Sequence, residues 1–287
     1  MFAPRLGDVY GESLFATVGA KTRRFLARSI RRKTLALRQS PAIVTFTFDD
    51  VAASACTVGG PILEQHGIRG TFYVAGAGYG APSPGGLLAS ADQLRAIWAN
   101  GHEIGCHTYS HRAVPQISLR ELGAELDRNE RELKKINSKV VARNFAYPYG
   151  DMSIGTKYYV ENRFDSCRSV HAGINSGIAD LGALRACPLE DASIDRSGIA
   201  ALIARTFQVR GWLIFYSHDV AERPSRHGVT PALLEWAVRT ARNSGCVVTT
   251  VAGALELIGG GPAAGSRQAH LSRWQTDLQD QGATLGS

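Results

Sequence analysis

The chain has 287 residues, 20 % charged and 44 % hydrophobic, which suits one α/β domain with a substantial core and tails. No run of about 20 apolar residues is present to span a bilayer. The five cysteines (Cys56, Cys106, Cys167, Cys187, Cys246) are odd in number and lack paired spacing, so neither a disulfide framework nor a thiolate zinc site finds support.

The formal charge of +7 is concentrated near the N-terminus, where Lys21, Arg23, Arg24, Arg28, Arg31, Arg32, Lys33 and Arg38 lie together without an acid. Such a run is a solvated helical face. Interleaved with Phe25, Leu26, Ile30, Leu35 and Leu37, it also suits peripheral contact of residues 21–38 with a membrane surface or polyanion. No nucleic-acid-binding motif accompanies the charge, so nucleic acid is not an expected partner. The apolar patch 14–20 precedes its basic cluster, the reverse of a secretory signal. The expected location is therefore the cytoplasm, at the inner face of the membrane if the basic stretch meets lipid.

Residues 42–48 read as a buried strand of β-branched and aromatic residues, and two adjacent carboxylates, Asp49 and Asp50, stand where it must stop. Residues 56–66 read as a helix closed by Gly67, 70–74 as a strand, and the Gly/Pro-rich stretch 75–86 as a loop. Ser90 caps a helix over 90–100, closed by Gly101. A strand over 102–106 then delivers His107 and His111. Residues 118–136 form a long surface helix with a solvated polar face, and 144–150 a short strand broken at Pro148. A helix ending at Arg163 precedes a strand at 166–170, with a candidate strand at 184–187. A helix spans 197–209, a strand 211–217 ends at His218, a helix spans 230–244 with Thr230 as N-cap, and 247–251 is the last strand. The alternation implies parallel βαβ units in an α/β fold. The expected organisation is a basic N-terminal segment at 1–40, one α/β domain at 41–258, and a Gly/Pro linker with a polar tail at 259–287.

In a parallel barrel the carboxyl ends of the strands share one rim, so Asp49-Asp50, His107 with His111, and His218 would meet in one cleft. Histidines at i and i+4 can face the same way on one helical turn, and a carboxylate beside them completes an open-sided metal site.

Four motifs, Thr-Phe-Asp-Asp at 47–50, His-Thr-Tyr-Ser-His at 107–111, Tyr-Pro-Tyr-Gly at 147–150 and Ser-His at 217–218, resemble in order and spacing the polysaccharide deacetylases that share the NodB homology domain (carbohydrate esterase family 4). The resemblance covers residues 41–257 and implies a distorted (β/α) barrel with metal-dependent N-deacetylase activity on an N-acetylated carbohydrate. It implies that Asp50, His107 and His111 bind a divalent metal, that Asp49 is the general base taking a proton from the attacking water, that Tyr149 offers its backbone N–H to the oxyanion, and that His218 is the general acid protonating the leaving amine. Two imidazoles and a carboxylate suit zinc, with cobalt or nickel able to replace it.

The chain departs from the family pattern in three places. Val51 follows the acid pair where many relatives have Gly. Ala146 stands where an Arg often orients the base, leaving Arg143 or Arg185 as substitutes. The partner of His218 is not evident, with Asp191 and Asp195 as candidates. Tyr79, Cys106, Tyr109 and Trp212 are candidate cleft-lining residues, with packing as the alternative. Alternative activities are hydrolysis of another non-peptide C–N bond, such as a lipid-linked formamide or a small cyclic amide, and a catalytically silent carbohydrate-binding relative. A non-haem iron oxygenase would use similar ligands on a β fold, which the α/β pattern disfavours.

Overall fold

The computed structural model describes residues 14–37, 40–83 and 85–259. The elements in chain order are α1 (Leu14–Ser29), β1 (Thr34–Ala36), β2 (Ile43–Phe48), α2 (Gly60–Gln65), β3 (Thr71–Val74), β4 (Pro82–Ser83), β5 (Gly86–Leu87), α3 (Ala91–Ala99), β6 (Glu103–Cys106) and α4 (Leu119–Ile136). They continue with β7 (Asn144–Ala146), α5 (Ile154–Arg163), β8 (Ser166–Arg168), β9 (Ile178–Asp180), β10 (Cys187–Pro188), α6 (Arg196–Val209), β11 (Trp212–Ser217), α7 (Pro231–Asn243), β12 (Val247–Val248) and α8 (Val251–Leu257).

The main sheet runs β10-β11-β2-β3-β6-β7-β8, with all neighbours parallel and β12 added beside the start of β2. Every residue of β2 is buried, as a central strand with covered faces requires. Residues 181–189 pair with β8 at one end, through Cys167 N–H to Leu181 O at 2.7 Å, and with β11 at the other, through Leu189 N–H to Tyr216 O at 2.7 Å. That segment nearly closes the curled sheet into the expected distorted barrel. Helices α2, α3, α6 and α7 cover the side packed on Phe46, Phe72, Leu213 and Phe215.

The helices begin where short polar side chains satisfy their first N–H groups: Ser90 and Ser118 form capping boxes with Gln93 and Glu121, and Thr230 caps α7. Some elements differ from expectation. The helix at 56–66 opens as a π-helical turn, Ala55–Gly59, before α2. The stretch 75–86 is not only loop, because β4 and β5 pair as a hairpin within its span and one residue past it. The last strand ends at Val248, since Thr250 caps α8 and turns Val251 into a helix. The polar face of α4 is not all solvated. Asn129 is fully buried; its amide oxygen accepts the Gly76 N–H at 2.8 Å and its amide nitrogen donates to Val74 O at 2.9 Å and Cys106 Sγ at 3.2 Å.

The N-terminal segment is joined to this body rather than set apart from it. β1 pairs antiparallel with β9, and Lys33 Nζ donates to Phe164 O at 2.6 Å. Arg23 binds Asp151 at 2.7 Å, and the Arg32 guanidinium lies 4.0 Å from the Tyr158 ring centroid. Much of the basic run therefore faces the protein's own acids, carbonyls and rings. Phe25, Leu26 and Ile30 remain exposed, while Arg38 and residues 260–287 lie outside the described residues. All five cysteines are buried free thiols. Among the described residues no helix is long and apolar enough to cross a membrane.

Candidate active site

Asp49 and Asp50 follow β2, His107 follows β6, Tyr149 lies in the turn after β7 and His218 follows β11, so the sheet brings all six predicted site residues, His111 included, to one rim. They line a cavity of about 460 Å³, together with Ser83, Leu88, Val170, Glu190, Tyr216 and His227. Backbone ladders continue into it: Asp49 N–H donates to Ser217 O at 2.9 Å and His107 N–H to Val74 O at 3.1 Å. Asp49 and His107 are thus held by the sheet, whereas His111 and Tyr149 lie in the loop and turn beyond it.

His107 and His111 meet in a different way from the helical turn expected. Residues 107–111 form an irregular loop in which Thr108 (φ 61°) and His111 (φ 53°) are left-handed. The imidazole centroids are 4.8 Å apart. Six non-glycine residues in the described chain have positive φ, and five of them, Asp50, Val51, Thr108, His111 and Tyr149, are at this rim. Left-handed backbone costs an L-residue about 1–2 kcal/mol, most severely at a β-branched position such as Val51. Such strain collects where the surrounding structure imposes a functional geometry.

His107 Nδ1 lies 2.8 Å from Ala146 O. A carbonyl can only accept, so Nδ1 carries the hydrogen and Nε2 keeps its lone pair. That Nε2 is 3.4 Å from Asp50 Oδ1, and His111 Nε2 is 3.0 Å from the same oxygen. Burial, with the charge of His111, outweighs the pull of the two aspartates and lowers His107 to about 4. Burial likewise lowers His111 to about 4, with His218 adding to it against the pull of Asp49. Both imidazoles are neutral at physiological pH. Asp50 Oδ1 is buried without a hydrogen-bond donor, so its lone pairs and that of His107 Nε2 meet with nothing to offset them. A divalent cation resolves this, because ligands about 2.0–2.1 Å from a tetrahedral ion lie about 3.4 Å from each other. Among the described residues, Asp50, His107 and His111 are the one group of this kind, with ligand atoms all within 4.8 Å. The residues fit the metal.

Asp49 is 3 % exposed. Its Oδ2 accepts from Arg168 Nη2, while Oδ1 is buried and unpartnered. Burial raises the carboxyl, but the Arg168 guanidinium, followed by the charges of His107 and His218, holds it below the usual carboxylate range. It is ionised and has one oxygen free. Arg168 is itself fully buried, with its guanidinium carbon 5.3 Å from the Tyr73 ring centroid and 5.2 Å from that of Tyr216. This is the residue that orients Asp49. Neither Arg143 nor Arg185 does so: Arg143 binds Asp165 at 2.6 Å, and Arg185 Nη1 donates to Ala172 O at 3.3 Å.

His218 Nδ1 is 3.2 Å from His227 O, and its backbone N–H donates to the same carbonyl at 3.1 Å. A carbonyl can only accept, so Nδ1 carries a hydrogen. Asp191 and Asp195 are not its partners, since Asp191 accepts from the Thr230 N–H and hydroxyl while Asp195 caps α6. Tyr149 is 64 % exposed at the mouth, its ring 4.5 Å from that of His111 between centroids. None of Tyr79, Cys106, Tyr109 and Trp212 lines the cavity. Trp212 is fully buried and donates to Thr45 Oγ1 at 2.9 Å, and Tyr109 stacks under Arg128.

Residues 37–162 match the family model described as polysaccharide deacetylase. Over that stretch the chain is similar to the polysaccharide deacetylase family. A chitin deacetylase of Colletotrichum lindemuthianum is 28 % identical over 135 residues, 43 % of this chain and 53 % of that protein. A chitooligosaccharide deacetylase of a Bradyrhizobium species is 30 % identical over 108 residues, 37 % of this chain and 46 % of that protein. The chain thus spans about half the length of these two relatives or less. Among solved structures, the Colletotrichum chitin deacetylase aligns with a TM-score of 0.54 at 18 % identity, covering 77 % of this chain and 89 % of that one. The Xyl-CE4 domain of a multidomain xylanase from the Trinervitermes trinervoides hindgut metagenome aligns at 0.54 and 16 % identity, covering 76 % and 92 %. These likenesses establish a polysaccharide deacetylase fold. The matched residues 37–162 contain Asp49, Asp50, His107, His111 and Tyr149, whereas Arg168 and His218 lie beyond them.

Proposed function

We propose that the protein is a metal-dependent hydrolase that removes the N-acetyl group from an amino sugar, in an oligosaccharide, polysaccharide or lipid-linked glycan, and releases acetate. The observation that carries this reading is the meeting of a Asp50/His107/His111 metal-ligand set with a separate, ionised and half-free carboxylate, Asp49, in one cavity. Two acids are needed, because a carboxylate committed to a cation is a poor base.

Asp50 Oδ1 and the two Nε2 atoms would hold the ion, with zinc first and cobalt or nickel as replacements. When bound, such a cation supplies Lewis acidity, lowering the pKa of water and polarising the acetyl carbonyl. Asp49, anchored through Oδ2 by Arg168, accepts the proton of the attacking water on Oδ1. The Tyr149 backbone N–H donates to the oxyanion that forms as the carbonyl carbon becomes tetrahedral. His218 Nε2, its ring fixed through Nδ1 by the His227 carbonyl, gives a proton to the sugar nitrogen as the C–N bond breaks, so the products are acetate and a free amine. Leu88, Val170, Tyr149 and Tyr216 provide apolar wall against which a pyranose face can rest.

The test is acetate release by metal-loaded protein from a panel of N-acetylated glucosamine oligomers and lipid-linked N-acetyl sugars. We expect turnover on at least one member and none after chelation. A fully metal-loaded preparation that releases acetate from no member overturns the reading.

A further inference from the structure

A second cavity lies on the far side of the active-site wall. It has a volume of about 320 Å³, and Arg28, Arg31, His171, Asn175, Asp180 and Arg185 are among its lining residues. Its wall and that of the catalytic cleft are consecutive in the chain, because Val170 faces the cleft and His171 faces this cavity.

Three guanidinium groups converge here without an internal counter-charge. Among the described residues, Arg23, Arg24 and Arg32 of the N-terminal run find carboxylates, whereas Arg28, Arg31 and Arg185 form no ion pair. The one acid in the lining, Asp180, is already bound by Lys157 at 2.6 Å. The crowding of charge shows in the titration of its members: burial and then the neighbouring Arg24 and Arg185 lower Arg28, and burial and then Arg185 and Arg28 lower His171. Surface arginines ordinarily spread apart or pair, because like charges brought together repel.

The frame holding them is preset. The buried Asn175 accepts the Arg185 N–H at 3.0 Å and donates to Arg185 O at 3.0 Å, which fixes that backbone against the 173–175 turn. Gly173 (φ 139°) lies so close to Arg185 that a Cβ there would stand 2.7 Å from Nη1. On the other side, Arg28 sits in the last turn of α1, joined to the domain by Lys157 donating to Ala27 O at 3.1 Å. Ile30 and Ile178 stand exposed close to the arginines.

We propose that this cavity is an oxyanion site that takes a phosphate group, held by Arg28, Arg31 and Arg185. Guanidinium forks match phosphate oxygens in pairs, and a partly buried anion would supply the missing counter-charge. The phosphate can come from two sources. It can be carried by the glycan whose acetamide occupies the cleft across the 170–171 wall, which rests on the deacetylase reading, or it can belong to a separate ligand such as a phospholipid headgroup meeting Ile30 and Ile178.

The experiment titrates inorganic phosphate into metal-loaded full-length protein by calorimetry, alongside the Arg28→Gln, Arg185→Gln and Asp50→Ala variants. Binding by wild type, weakened about tenfold to a hundredfold in either arginine variant but kept in Asp50→Ala, supports the proposal. No binding by wild type, or binding that folded arginine variants retain, overturns it, and loss in Asp50→Ala alone assigns the anion to the catalytic metal instead. Two further arms distinguish the sources. A fall of about tenfold in the kcat/KM ratio of phosphorylated over neutral N-acetyl oligosaccharide in Arg185→Gln assigns the phosphate to the substrate. Arginine-dependent sedimentation with phosphatidic acid vesicles, without that fall, assigns it to a lipid. If no glycan is deacetylated while phosphate binding still depends on the arginines, the deacetylase reading fails and this site stands.

Discussion

Arg168 at the end of β8 and Asp49 at the end of β2 form a buried ion pair across the barrel interior, 119 residues apart in the chain and on strands that are not neighbours in the sheet. The pair fixes the Asp49 carboxylate and ties the two sides of the barrel together. Removing one member leaves a lone buried charge, which costs about 3–5 kcal/mol. Arg168→Met should therefore lower the free energy of unfolding by about that amount, and Asp49→Asn combined with Arg168→Met should recover most of it without restoring turnover. Urea unfolding measures both, and an Arg168→Met variant as stable as wild type would remove the pair from its structural role.

Asp50 and Asp49 should separate under substitution. Asp50→Ala removes the oxygen on which both imidazoles converge, so bound metal and activity disappear together. Asp49→Asn should keep a full equivalent of metal and lose about 10²–10⁴-fold in kcat, the range for a general base. Metal content by mass spectrometry beside initial rates reads both, and near-normal kcat in Asp49→Asn assigns the base elsewhere.

The two ligand histidines should make the metal-free protein sensitive to mild acid. His107 and His111 are lowered from the ordinary imidazole value of 6.5 to about 4 in the folded state. Between those values the unfolded chain binds protons that the folded chain refuses, so stability is complete above about pH 6.5 and is lost as pH falls towards 4. Each histidine contributes up to about 3 kcal/mol of that loss. Chelator-treated protein should unfold at markedly lower urea at pH 5 than at pH 7.5, and His107→Gln should shrink the difference. Equal midpoints for the metal-free wild type would contradict the buried, neutral state of these rings.

His218 should matter in proportion to the basicity of the leaving nitrogen. A sugar amine needs a proton to depart, whereas an anilide with electron-withdrawing substituents leaves with little help. His218→Gln should thus lose about 10²–10⁴-fold in kcat on a sugar amide and far less on an activated anilide, with metal content intact. Equal losses on both substrates would exclude the general-acid role.

Asn129 carries a stability prediction outside the site. Replacement by Leu leaves the Gly76 N–H without its buried acceptor, a cost of about 1–3 kcal/mol, while Val74 O keeps the His107 N–H. Thermal or urea unfolding of Asn129→Leu checks this, and a loss below about 1 kcal/mol would mean that water replaces the amide.

Most of the site was legible because its residues are local to strand ends. Asp49-Asp50 interrupt an apolar run, and His107 and His111 follow a Gly-closed helix and a short strand, so period and punctuation marked their places. Arg168 was missed because its meaning is entirely long-range, although one signal was present: a cation inside Ser166-Cys167-Arg168, a segment that reads as buried strand, needs a buried anion. The His227 carbonyl could not be foreseen, since a backbone acceptor leaves no trace in side-chain identity. The left-handed loop that joins His107 to His111 was hidden for a similar reason, because neither Thr108 nor His111 is a glycine that would advertise positive φ. The β1–β9 pairing joins two three-residue strands far apart in the chain, too short for periodicity to register.

The central position of β2 also bears on how the molecule is assembled. Its carboxyl end is paired on one side with β3, close behind it in the chain, and on the other with Trp212–Ser217. The strand that carries both carboxylates must therefore wait for residues made more than 160 positions later before its second flank is covered. Contacts of such long sequence separation slow folding, so a ribosome-bound nascent chain would expose an unpaired apolar edge for most of its synthesis and would be a natural client for chaperones.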